Sequence, residues 1–124
     1  MKPVERFTPA EIPTDLYFVR KPERSQGRVT IPAEIVRLLG IKTGDIIVVS
    51  ARNPITDATV AFTSALTLGN GTFTMPKSVR EAIGVVPEED GEYQNVEFRL
   101  KALHRAPEGY QLFGRPRTKI IGTH

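Results

Sequence analysis

No cysteine occurs in the 124 residues, and histidine stands only at positions 104 and 124. The missing thiols exclude disulfides, cysteine zinc sites and thiol catalysis. Two imidazoles are too few for a histidine-rich metal site, so no cofactor or metal is expected. Apolar runs are short, none approaching the ~20 residues that span a bilayer. The opening MKPVERFTPAEIP is charged and broken by prolines, unlike the apolar core of a secretory signal. A cytoplasmic location without a membrane partner is the expectation. A large excess of one charge is also missing: 17 Lys and Arg face 14 Asp and Glu, a net charge of +3. The balance is uneven along the chain, with residues 1–54 and 104–124 basic and residues 55–103 acidic. Such segregation suits a polyanionic partner without demanding one.

The chain is long enough for one compact domain. Residues 1–15 hold three prolines and read as an irregular arm. Aromatic and β-branched residues make LYFVRK (Leu16–Lys21) a strand, PERSQG an exposed loop, and RVTI (Arg28–Ile31) a half-buried strand. Pro32 then opens a short helix whose apolar face is read as Ile35, Leu38 and Leu39, and Gly40 closes it in a left-handed cap. After the KTGD turn, DIIVVSA (Asp45–Ala51) and ATVAFTS (Ala58–Ser64) form a hairpin around RNPITD. ALTL (Ala65–Leu68), the turn Gly69-Asn70-Gly71 and TFTM (Thr72–Met75) lead to a second short helix, with Val79, Ala82 and Ile83 facing inward. An acidic loop, VPEEDGEYQ, precedes NVEFRLKAL, which alternates Val96, Phe98 and Leu100 on one face. YQLF (Tyr110–Phe113) returns the chain, and GRPRTKIIGTH is a basic tail.

An internal repeat organises this order. At an offset of 44 residues, Gly27, Thr30, Pro32 and Gly40 meet Gly71, Thr74, Pro76 and Gly84. Val29, Ile31, Ile35, Leu39 and Ile41 meet Phe73, Met75, Val79, Ile83 and Val85. Glycine and proline recur where the backbone needs them, and apolar residues where a core does. No linker separates the copies, so both should enter one core. Arg28 does not recur: Thr72 takes its place.

GRVTIPAEIVRLLGIKTGDIIVV, within a match of about 35 residues from Tyr17 to Ala51, resembles the AbrB/MazE/SpoVT family. The shared pattern is a glycine-basic-apolar strand ending in Ile-Pro, a short helix, then Leu-Gly-Ile and Gly-Asp before a strand. The resemblance implies a mainly β fold with two short helices, a swapped-hairpin (cradle-loop) β-barrel. Two tandem ββαβ-type units, 16–64 and 65–114, would close it within 16–114, leaving 115–124 as a tail. It also implies a double-stranded DNA-binding transcription regulator. Its DNA contacts would be Arg28 and the upstream Arg20, Lys21 and Arg24. The second copy departs from the pattern in its missing arginine and in its disrupted Gly-Asp.

Arginines on a loop reach phosphates, and an arginine fork can read guanine in the major groove. Gln26 beside them can meet a base edge or simply make the turn. Asn70, Thr72 and Lys77 are secondary candidates in the second copy. In the tail, Arg115, Arg117 and Lys119 form a slim cationic segment of minor-groove type or a charged terminus. KII (Lys119–Ile121) can instead add an edge strand or pack on a partner. One basic face per chain is a small footprint, so a homodimer presenting two basic loops is expected. The alternative is an antitoxin-type module that holds a toxin through its tail, a reading weakened by the tail's shortness and positive charge. Gly69-Asn70-Gly71 lacks the Gly-Lys-Ser/Thr ending of a phosphate loop. PEEDGE lacks EF-hand spacing. No nucleophile–base pair or paired carboxylates can be placed together, and no enzymatic activity is expected.

Overall fold

The computed structural model describes residues 6–14, 16–66, 71–87, 91–107 and 119–123, the last as backbone alone. Among these residues the order is β1 (Thr8–Ala10), β2 (Tyr17–Arg20), β3 (Arg28–Thr30), α1 (Ala33–Leu39), β4 (Ile46–Arg52), β5 (Thr59–Ala65), β6 (Thr72–Thr74), α2 (Lys77–Ala82), β7 (Val96–Arg105) and β8 (Lys119–Thr123). The fold is mainly β with two short helices. Residues 67–68 and Tyr110–Phe113, read as strand from sequence, lie outside the described residues.

The strands form two sheets. A six-stranded sheet runs β1-β7-β4-β5-β8, with β2 beside β1 along the same edge of the long β7. The second sheet is a ribbon of β3 and β6 alone. A closed barrel was the expectation, and among the described residues the strands do not close. Closure requires every strand to be paired on both edges. Here β8 pairs only with β5, while β1 and β2 pair only with β7.

Alternation in β4, β5 and β7 builds the core wall. Ile47, Val49 and Ala51 face inward with Val60, Phe62, Val96, Phe98 and Leu100, all buried. Strict alternation would next bring Ala102 inward. A register shift opposite Val48 and Val49 makes Lys101 an extra residue. This bulge returns Leu103, 1% exposed, to the core face. The ribbon closes the core from the other side through Val29 and Phe73, and the helices add Leu39 and Val79, while Ala82, read as facing inward, is exposed.

The ribbon's register is symmetric. Val29 lies opposite Phe73, Arg28 opposite Thr74 and Thr30 opposite Thr72. The Ile31 N–H donates to the Gly71 carbonyl at 3.0 Å, and the Met75 N–H to the Gly27 carbonyl at 2.8 Å. Positions 44 residues apart in sequence thus exchange equivalent bonds. The helix ends match as well, with Ile41 N–H donating to Val36 and Val85 N–H to Arg80. In α1 the buried side is Leu39 with the partly buried Ile35 and Val36, while Leu38 is 64% exposed. Leu38 therefore leaves the face the spacing gave it, because α1 leans on the core through the Val36 side.

Two polar groups join the halves. Asp45, buried, accepts the Lys42 N–H at 2.9 Å and the Ala106 N–H at 2.8 Å, tying the turn after α1 to the end of β7. Arg105 donates to the carbonyls of Leu39 and Gly40, satisfying acceptors that a helix end leaves open.

Candidate nucleic-acid interface

The loop between β2 and β3 (residues 21–27) displays the cations singled out in the sequence. Arg20, Lys21, Arg24, Gln26 and Arg28 are all exposed along it. Glu23 sets its shape. One carboxylate oxygen accepts the Ser25 N–H, the Ser25 hydroxyl and the Gln26 N–H, and the other accepts Arg28 Nε at 3.1 Å. Its backbone closes the loop: Glu23 N–H donates to the Arg28 carbonyl at 2.8 Å and Gly27 N–H to the Glu23 carbonyl at 2.7 Å. Gly27 has φ +73°, and a β-carbon there would lie 2.4 Å from the Met75 carbonyl oxygen. Only glycine fits so tight a crossing of loop and ribbon.

The hydrogen bonds from Ser25, Gln26 and Arg28 lower the Glu23 pKa from 4.5 to about 2. A carboxylate whose pKa is depressed on folding contributes stability above its unfolded value. That contribution is complete above pH 4.5 and is lost as pH falls toward 2. An NMR titration should therefore find Glu23 still ionised at pH 3.5, with the Gln26 amide shift moving only near pH 2. A midpoint near 4.5 would mean that the loop is not held this way.

The cations differ in their surroundings. Lys21 pairs with Glu92 at 3.6 Å, and Arg28 with Glu23 at 3.1 Å. Arg20 donates to the carbonyls of Thr30 and Val19, both at 3.3 Å, and neither it nor Arg24 has an ion pair among the described residues. Glu23 holds Arg28 by Nε, which leaves the two terminal nitrogens of the fork outside that bond. The second half meets this loop directly. A side chain at Gly91 would run into the Arg24 guanidinium, 3.1 Å from a β-carbon there. Lys21, Pro22, Glu23, Arg24 and Glu92 line a groove of about 230 Å³.

The secondary candidates separate. Thr72 is 3% exposed and its hydroxyl is bonded to that of Thr30 at 3.2 Å, so it braces the two strands of the ribbon. Lys77 is exposed on the first turn of α2, 3.8 Å from Glu81. Asn70, Arg115 and Arg117 lie outside the described residues. Lys119 opens β8, the edge strand that KII allowed, and its side chain lies outside them too. The sequence reading missed Glu23, though a carboxylate two and three residues before Ser25 and Gln26 is a local turn signal. Among the described residues no group of three or more His, Asp or Glu is placed to hold a metal. None of the described helices is long and apolar enough to cross a membrane.

Three comparisons bear on this geometry. The family model described as "Antidote-toxin recognition MazE, bacterial antitoxin" matches residues 24–54, from Arg24 through β3, α1 and β4. No curated protein matches the chain in sequence. The solution structure of PHS018 from Pyrococcus horikoshii superposes with a TM-score of 0.60 at 23% identity, covering 79% of this chain and 100% of that one. It shares the fold. Residues 24–54 of this chain are thus similar to the MazE antitoxin family, a family of the AbrB/MazE-like type.

Proposed function

We propose that this chain is a cytoplasmic transcription regulator, with no catalytic role, that binds double-stranded DNA selectively through the β2–β3 loop. The observation that carries the reading is a loop stapled by Glu23 and Gly27 that holds four cations and Gln26 at the surface. Arg20 and Arg24, which have no carboxylate partner among the described residues, bind phosphates. Arg28, oriented by Glu23, offers its terminal nitrogens to a guanine, the commonest specific contact in the major groove. The family match from residue 24 supports the same reading. We read the chain as two tandem units of swapped-hairpin type related by the symmetric β3–β6 ribbon, with basic chemistry kept in the first. Two chains then present two loops to one site.

A duplex titration at several salt concentrations tests this. Log K is expected to fall with log salt by about 0.9 per neutralised phosphate, with two chains per duplex. Arg24→Ala should weaken binding to all sequences and lower that slope by about 1. Arg28→Ala should cost about 1–3 kcal/mol and relax selectivity at one base pair. A flat salt response would overturn the reading. The name of the matched family favours a second reading, an antitoxin whose C-terminal segment holds a toxin. Co-purification of a stoichiometric small protein that the tail, residues 115–124, is needed to retain would support it.

A further inference from the structure

We infer that Arg80, from α2 of the second half, is the residue that positions the basic loop of the first. The inference rests on the DNA-binding reading for its consequence, but its core is a property of the loop. At the offset of 44 residues, Arg80 corresponds to Val36 and Gly27 to Gly71. The two glycines have nearly the same backbone, φ +73° and φ +80°. A β-carbon at Gly71 would meet Val36 Cγ2 at 2.7 Å, and one at Gly27 would meet Arg80 Nε at 3.2 Å and Cζ at 3.3 Å. Each helix therefore floors the turn of the opposite unit. Under the neutral turn the floor is a valine, and under the basic loop it is a guanidinium.

That guanidinium is costly where it lies. Arg80 is partly buried, its Nε has no hydrogen-bond partner, and it has no ion pair among the described residues. A half-buried cation without a carboxylate destabilises the fold relative to an apolar side chain. Valine in the equivalent place shows that the scaffold does not need it. What fixes Arg80 is Tyr93, which is buried: its hydroxyl accepts from Nη1, and its ring lies 5.1 Å from Cζ. The flat, immobile guanidinium forms a rigid plane under Gly27, whose carbonyl holds β6 and whose N–H closes the loop on Glu23. Arg80 does not touch DNA in this arrangement. It orders the loop in advance, and its charge, which has no ion pair among the described residues, adds to the positive potential there. Such preorganisation strengthens binding by removing the cost of ordering the loop during association.

Arg80→Met keeps the length and apolar stem of the side chain, and Arg80→Lys keeps the charge. In the full chain, Arg80→Met is expected to leave the urea midpoint unchanged or raise it. It should speed amide exchange at Gly27 and Gln26 about tenfold and weaken duplex binding about tenfold. Arg80→Lys should recover part of the binding but not the slow exchange, because an ammonium offers no plane. Slow exchange at Gly27 in folded Arg80→Met would overturn the inference. If Arg80→Met does not fold, Tyr93→Phe, which drops only the hydroxyl, must speed Gly27 exchange or the inference fails. Should the wild type bind no duplex while Arg80→Met still loosens the loop, the DNA reading falls and the positioning role stands.

Discussion

Gly27→Ala is expected to destabilise the protein by about 3 kcal/mol in urea unfolding and to abolish measurable duplex binding. A left-handed φ costs a residue with a β-carbon about 1–2 kcal/mol. The remainder comes from the new carbon, which would stand 2.4 Å from the Met75 carbonyl oxygen. That neighbour is backbone and cannot rotate away. The ribbon must open, and with it the bond from Met75 N–H to the Gly27 carbonyl at 2.8 Å. Gly84→Ala is the control. Its φ of +69° is similar, yet among the described residues a β-carbon there meets nothing within 4 Å, so only the conformational cost of about 1–2 kcal/mol is expected. Equal losses in the two variants would show that the crossing at Gly27 is not tight.

Phe73→Ala should cost about 3–5 kcal/mol, a large share of the 5–15 kcal/mol typical of a whole domain. Phe73 is fully buried and joins the ribbon to the main sheet. Its ring meets Phe98 edge to face at 5.6 Å and lies 6.2 Å from Phe62. Phe98 stacks in turn on Phe18 at 5.4 Å. Removing the ring leaves a cavity that three β-strands cannot collapse around together, and it also removes the edge-to-face contact. Leu38→Ala, at 64% exposure, is expected to stay within about 0.5 kcal/mol. Urea midpoints at a common m-value measure both. A Phe73→Ala loss below about 1 kcal/mol would mean that the ribbon is not anchored to the sheet through this ring.

Leu38 and Leu103 mark where sequence patterning stops. Leu38 and Leu39 have the same chemistry and adjacent positions, and helical spacing alone placed both on the apolar face. Which of them is buried depends on how α1 tilts on the sheet, a rigid-body variable that a seven-residue helix does not encode. Leu103 is the converse case. Alternation from Val96 through Leu100 would carry the core face to Ala102, and the bulge at Lys101 moves it by one residue. A bulge is a property of strand pairing, invisible in one strand's sequence.

The candidate loop divides in the same way. Arg20, Lys21, Arg24, Gln26 and Arg28 were legible because they cluster beside a glycine, in a stretch whose counterpart 44 residues on has Thr72 in place of the arginine. Their differing surroundings were not legible. Glu92, 3.6 Å from Lys21, and Gly91, against Arg24, lie more than 60 residues downstream. Arg80 reaches Gly27 from a different helix. Thr72 shares a repeat position with exposed Arg28 but is buried against Thr30.

By itself the sequence determined most of the elements, though not β1 within the arm read as irregular, and the recurrence of glycine, proline and apolar residues at an offset of 44. Glycine, proline and apolar spacing act within a few residues of chain, and they recur wherever the backbone needs the same turn, cap or face. Tertiary structure alone decided how those elements met. Among the described residues it left the main sheet open with β8 on one edge, and it buried Leu39 rather than Leu38. It also set the guanidinium of one half beneath the loop of the other. Each of these outcomes is a contact between segments far apart in sequence, chosen by which arrangement buries the apolar faces and satisfies the backbone together, a condition that only the assembled chain can meet.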